Sequence, residues 1–371
     1  CLVCFCLGLA NCQFALQQSI GCINQQSFNH VTQPRKGLNM KRLIITAPRQ
    51  AEFEEVALPV CAKDGLLVRA TVTAISTGTE IRVFRVKPVD AAGKYIHADV
   101  PLIFPLENGY SMVGQVIEVG VDVQGFSVGD RVFIPATHQE VAAIGAGEAL
   151  KLPDNLPDEH AVFMNILEVS HIALRKGNPA PGETIAIIGQ GVIGLAALAY
   201  GKAFGFRTIA IDKDEARLAI ARQMGADLVI SPDAPDFLAQ VRNFCEGEGP
   251  DLVLEAASVW PAIQTSLDIV RKGGKVVVVA RHTDQPNFSL VGDPYLQKDV
   301  TFLVSYGYPP AGHRWDRRRS FGLTMELLAK GKLPIAPLIT HRFPWHELPQ
   351  VYQRLDQNER ALVGVVLDWR E

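Results

Sequence analysis

The chain has no apolar run approaching about 18 uninterrupted residues, so it offers no segment able to cross a bilayer as a helix. It also lacks a dominant charge. Lys and Arg number 36 against 39 Asp and Glu, a net charge of −3, which leaves no electrostatic footprint for nucleic acid or an anionic membrane. Cysteine is scarce: of 7, only Cys61 and Cys245 fall after residue 22. Two dispersed thiols build no disulfide framework and suit a reducing cytoplasm, where we expect the protein. Repeats and low-complexity linkers are missing too, which excludes a solenoid or a tethered array. What is present is 371 residues, 48% hydrophobic with 31 glycines, enough for two domains with substantial cores and fitting an α/β enzyme.

The first 39 residues differ from the rest. They hold Cys1, Cys4, Cys6, Cys12 and Cys22 without paired CxxC spacing, and the apolar stretch Leu2–Ala10 lacks the basic flank of a secretory signal. Residues 1–39 are expected to be a leader or disordered extension, with Met40-Lys-Arg-Leu-Ile-Ile-Thr46 opening the first domain.

Between Met40 and about Gly145 the pattern predicts strands at Arg42–Thr46, Gly65–Ala74, Val113–Val119 and Asp130–Pro135, punctuated by glycine and proline. Past Asp158 strands alternate with helices. Strands are expected at Thr184–Ile188, Thr208–Ile211, Leu228–Ile230, Leu252–Glu255, Lys275–Ala280 and Thr301–Val304, with helices near 191–205, 214–224, 235–245 and 260–271. That alternation predicts a doubly wound parallel sheet. A helix near 319–331 and a strand at Gly364–Asp368 follow. The expected organisation is a β-rich domain from 40–163 and 305–371, with a dinucleotide-binding domain over 164–304.

The most informative segment is Thr184–Gly205. An apolar strand runs into Gly189-Gln-Gly191-Val192-Ile193-Gly194, which opens a helix. Gly189 allows a tight turn, Gly191 lets backbone approach a pyrophosphate, and Gly194 lets helix and strand pack closely, with the helix N-terminus toward the phosphate. A second strand ends at Asp212, placed to bind a ribose 2′-hydroxyl and to repel a 2′-phosphate. NAD is therefore expected over NADP, with Lys213 softening the preference. Arg281, with His282 beside it, follows the fifth strand and is expected to reach the pyrophosphate or the nicotinamide ribose.

Further motifs extend the pattern: Gly78-Thr-Glu80, Gly109-Tyr-Ser-Met-Val-Gly114, Val128-Gly-Asp-Arg-Val132, Pro181-Gly-Glu-Thr184, Met224-Gly-Ala226 and Gly273-Gly274. With the glycine fingerprint they resemble the medium-chain dehydrogenases/reductases related to zinc alcohol and polyol dehydrogenases. The resemblance implies a GroES-like β-barrel catalytic domain beside a Rossmann domain. It also implies zinc ligands at positions that here read Thr77, Tyr110 and Asn165. A hydroxyl, a phenol and an amide are not the thiolate, imidazole or carboxylate that zinc takes, and Phe133–Glu148 lacks the cysteines of a structural zinc lobe. No metal is expected. Ile75-Ser-Thr-Gly-Thr-Glu80 with Gly-Tyr-Ser resembles a zinc-lacking branch that includes bacteriochlorophyllide hydroxyethyl dehydrogenases. That likeness is confined to short motifs, and their substrate is not carried over.

Without zinc, side chains must orient the substrate oxygen and bear its developing charge. Tyr110 is the expected acid/base or oxyanion donor, or else simply fills the vacated pocket. Thr77 and Asn165 are expected to orient it. Glu80 is either a base or a carboxylate at a helix N-terminus. Tyr306 and Arg314 are expected to line the substrate cleft, while His97 and His138 read as surface histidines and His171 as structural. The expected activity is NAD-dependent oxidation of a secondary alcohol in a polyol, sugar derivative or cyclic metabolite. The alternatives are a zinc-free NADPH-dependent enone or quinone reductase and a redox-inactive NAD-binding protein. The partner is a small molecule. The apolar edge Thr301–Val304 predicts a homodimer.

Overall fold

The computed structural model describes residues 37–85, 104–282, 286–305 and 314–370. His97 and Tyr306 lie outside them. Contacts divide the chain into two compact units. One runs through Asn165 and is completed by His341–Glu359 and the segment from Val365; the other comprises Ile166–Thr340 and Arg360–Gly364.

The first unit is built on antiparallel pairing. β1 (Asn39–Ala47) turns at Pro48-Arg49 into β2 (Gln50–Ala57), and the short β4 (Leu106–Glu107) pairs with the other edge of β1. The larger sheet runs β15 (Ile339–Pro344), β16 (Gly364–Asp368), β3 (Gly65–Ile75), β5 (Met112–Val119), β6 (Arg131–Ile134) and β8 (Leu150–Lys151), with β7 (Val141–Gly145) also on β3. The two-residue period of β3 explains its burial. Leu66, Val68 and Ala70 pack into a core with Met112, Val116, Val132 and Ile134, while Leu67 faces a second cluster with Met40 and Val141. Each such Leu, Ile, Val or Met contributes roughly 1.5–3 kcal/mol on burial. β2 was not legible in the sequence, because QAEFEEVA carries acids on its exposed face.

In the second unit β9 (Thr184–Ile188), β10 (Arg207–Ile211), β11 (Leu228–Ile230), β12 (Leu252–Glu255), β13 (Lys275–Val278) and β14 (Thr301–Val304) form one sheet, ordered β11-β10-β9-β12-β13-β14. Every pair in it is parallel. The chain moves outward from β9 to β11, then crosses back to start again at β12. Strand order thus reverses between β9 and β12, where such sheets leave a crevice at their carboxyl ends. All of β9 and β12 is buried, as their apolar composition requires. At the outer edge, Phe302 and Val304 of β14 are exposed.

The helix Arg317–Ala329 belongs to this second unit, whereas the sequence pattern alone assigns 305–371 to the β-rich domain. The reason is polar as well as apolar. Ser320 Oγ shares a 2.5 Å hydrogen bond with His171 Nδ1, and Thr324 Oγ1 one of 2.5 Å with the Tyr200 hydroxyl, all four residues being buried. None of the described helices is long and apolar enough to cross a membrane.

Candidate functional site

Two sets of residues carry chemistry, one in each unit. In the second unit the glycine fingerprint folds as its spacing requires. Gly189 leaves β9 with φ of +91°, and a Cβ there would lie 2.8 Å from the backbone of Ala257. Gly191 faces open space, with nothing within 4 Å of the position a Cβ would take, and its extended backbone leads into the helix Val192–Ala203. At Gly194 any Cβ would run into the Gly189 carbonyl. Val192 is buried, and the Ile193 carbonyl accepts from Ser170 Oγ at 2.7 Å, which anchors the helix start. The result is a cradle of unobstructed backbone at a helix N-terminus, into which a pyrophosphate fits.

Asp212 stands at the end of β10. One carboxylate oxygen accepts from Gln190 N at 2.6 Å and the other from Asp214 N at 2.9 Å. The glycine loop and the next helix therefore hold the acid beside the cradle. Lys213 points elsewhere, forming a 2.9 Å ion pair with Asp233 on the open surface. Arg281 follows β13 and is half-buried. Arg314 is exposed, and its charge adds to burial in lowering the pKa of Arg175.

In the first unit the expected catalytic residues assemble around Glu80. The turn Ser76–Gly78 joins β3 to the helix Thr79–Arg85, and Thr77 sits in it, half-buried. The Tyr110 phenol is hydrogen-bonded to the side chains of Ser76 and Thr79, and the Asn165 amide donates to the Tyr110 carbonyl. Burial, then the nearby Glu80 charge, pushes the Tyr110 pKa up to about 12 against the pull of its two hydroxyl partners. This phenol stays protonated and so keeps a proton to donate. It is the opposite of an ionised base.

Glu80 is 1% exposed, and both of its oxygens are committed. Oε1 accepts from Ser76 N at 2.7 Å, while Oε2 accepts from the Tyr352 hydroxyl at 2.5 Å and shares a 2.9 Å bond with His138 Nε2. That saturation argues for an anchor rather than a free base. Asn108 Nδ2 donates to the Glu80 carbonyl at 3.2 Å and to the Tyr352 hydroxyl at 3.1 Å. His138 Nδ1 lies 2.8 Å from Thr73 Oγ1, which accepts from Trp369 Nε1 at 2.9 Å.

His138, read from the sequence as a surface residue, is instead 1% exposed at the centre of this network. Its ring explains Gly109, which has φ of +95°: a Cβ there would lie 2.7 Å from His138 Nε2. Sequence reasoning also missed Tyr352. Thr77, Tyr110 and Asn165 thus present a hydroxyl, a phenol and a backbone-bound amide. Among the described residues no group of three or more His, Cys, Asp or Glu side chains could hold a metal ion.

Residues 63–153 match the family of alcohol dehydrogenase GroES-like domains, and residues 192–319 the zinc-binding dehydrogenase family. The D-arabitol-phosphate dehydrogenase of Enterococcus avium is 26% identical over 350 residues, which span 85% of this chain and 94% of that protein. The L-galactonate-5-dehydrogenase of Escherichia coli strain K12 is 26% identical over 362 residues, 88% of this chain and 98% of that protein. Among solved structures, the alcohol dehydrogenase TADH from Thermus sp. ATN1 superposes with a TM-score of 0.72 at 25% identity, covering 89% of this chain and 99% of that one. The chain belongs to the zinc-type alcohol dehydrogenase-like medium-chain dehydrogenase/reductase superfamily, with a GroES-like domain and a Rossmann-like parallel sheet, and is an oxidoreductase acting on CH–OH donors.

Proposed function

We propose that this chain is a zinc-independent, NAD-dependent dehydrogenase that oxidises a secondary alcohol of a polyol, sugar derivative or cyclic metabolite. The observation that carries the reading is Tyr110, a protonated phenol braced by Ser76 and Thr79, at a position where the family resemblance implies a zinc ligand. Similarity to D-arabitol-phosphate and L-galactonate-5-dehydrogenases supports a polyol or sugar substrate.

The glycine cradle and Asp212 would hold the dinucleotide, Asp212 favouring an unphosphorylated ribose. When bound, the nicotinamide ring supplies the acceptor or donor for hydride. Tyr110 donates a hydrogen bond to the substrate oxygen and stabilises the negative charge that grows there. Because its pKa is high, it orients that oxygen without taking its proton, which leaves to solvent water as the hydride departs and returns from solvent in the reverse direction. Asn165 fixes the backbone at Tyr110, and Thr77 offers a second hydroxyl from the adjoining turn. Glu80, clamped by His138 and Tyr352, sets the position of Ser76 and with it the phenol. The exposed apolar edge at β14 supports a homodimer.

The test is turnover of a polyol and cyclic-alcohol panel by metal-analysed protein, with Tyr110→Phe and Thr77→Val changed together. Turnover should be lost while NADH binding persists. Unchanged turnover would sink the site, and a clear NADPH preference would shift the reading to an enone reductase.

A further inference from the structure

Glu255 is fully buried at the carboxyl end of β12, a costly place for a carboxylate. Its surroundings account for it. Oε1 accepts from the backbone N–H groups of Ala257 and Ser258, at 2.7 and 2.9 Å. Ser258 adopts φ of +61°, an unusual conformation for a residue with a Cβ, so the carboxylate holds a turn that would otherwise relax. The same turn walls the glycine cradle: Ala256 N donates to the Ile188 carbonyl at 2.8 Å, and the backbone at Ala256 and Ala257 limits residue 189 to glycine. Oε2 pairs with His282 Nε2 at 2.7 Å. The His282 side chain, 9% exposed, packs on Trp260 with ring centroids 5.1 Å apart. A carboxylate only accepts, so Nε2 carries the proton and donates.

We propose that Glu255 and His282 are positioning residues for the dinucleotide. Glu255 shapes the 256–258 wall at the point where strand order reverses, and His282 holds the carboxylate aimed at those two amides. The inference rests on the nicotinamide-dinucleotide reading above. The adenosine half of such a ligand lies over β9 and β10, beside Asp212, and the other half crosses toward β12 and β13. The wall at 256–258 therefore bears on the whole dinucleotide and much less on its adenosine fragment.

The test measures dissociation constants of NADH and of AMP for the full-length protein and for His282→Phe, His282→Gln and Glu255→Gln. His282→Phe removes the donor to a buried carboxylate, and NADH should bind about ten- to a hundred-fold more weakly, with AMP affinity changed less than about twofold. His282→Gln restores an N–H donor and should recover most of the loss. Glu255→Gln keeps an acceptor for the two amides, so it should fold and stay closer to the parent than His282→Phe. NADH binding unchanged in His282→Phe, or NADH and AMP weakened alike, would overturn the proposal. A parent protein that binds neither nucleotide would overturn the dinucleotide reading itself, a result distinct from the other two.

Discussion

His138 and Glu80 meet across 2.9 Å with neither side chain more than 1% exposed. A carboxylate so deeply placed is tolerable only because an amide, a phenol and an imidazole all address it. Tyr352→Phe removes one of these donors at nearly constant volume. It should cost about 1.5–3 kcal/mol in chemical denaturation. A loss under about 0.5 kcal/mol would mean that Glu80 is held without it.

Tyr110→Phe alone should lower kcat about a hundred- to a thousand-fold, the range for removing one donor to a developing oxyanion, with little change in NADH affinity. Steady-state kinetics with a polyol substrate and NADH titration separate the two quantities. A parallel loss of both would point to a structural role.

The same phenol sets an alkaline limit. Its pKa is near 10 when unfolded and pushed up to about 12 in the folded protein, so the folded state holds this proton more tightly. Its contribution to stability is fully present below pH 10 and is lost as pH rises toward 12. Denaturation midpoints followed over that window should fall in the parent and fall less in Tyr110→Phe.

At acid pH the sensitive group is His171. Burial, reinforced by Arg175, lowers its pKa from 6.5 to about 4. The unfolded chain therefore takes up this proton first, and stability declines as pH drops through that window, by an amount on the order of 3 kcal/mol. His171→Asn should flatten the profile, and an unaltered slope would remove His171 as its cause.

Asp212→Ser removes the acid that receives Gln190 N and Asp214 N. NADH should bind about ten- to a hundred-fold more weakly, while NADPH loses less and the preference narrows. Elemental analysis of the parent should find under about a tenth of a zinc per chain, with turnover unaffected by a chelator.

The parallel sheet was legible because its strands are short, apolar and β-branched, bounded by glycine or by helix caps. Thr184–Ile188, Leu228–Ile230, Leu252–Glu255 and Thr301–Val304 have the limits that pattern predicts. The cradle could be read for the same reason, since glycine spacing and the strand that follows it are local. The network around Glu80 could not. His138 and Tyr352 stand 58 and 272 positions from it, and no local pattern distinguishes a histidine buried against a distant acid from one on the surface. A partial signal existed in Gly109, whose missing side chain leaves room for that imidazole.

Trp369 donates to Thr73 across 296 positions, and Tyr352 reaches Glu80 across 272. During synthesis the strand carrying Thr73 and the helix carrying Glu80 leave the ribosome long before either partner exists. The β-rich unit must therefore wait, with a carboxylate short of a donor, while the entire nucleotide-binding sheet is translated.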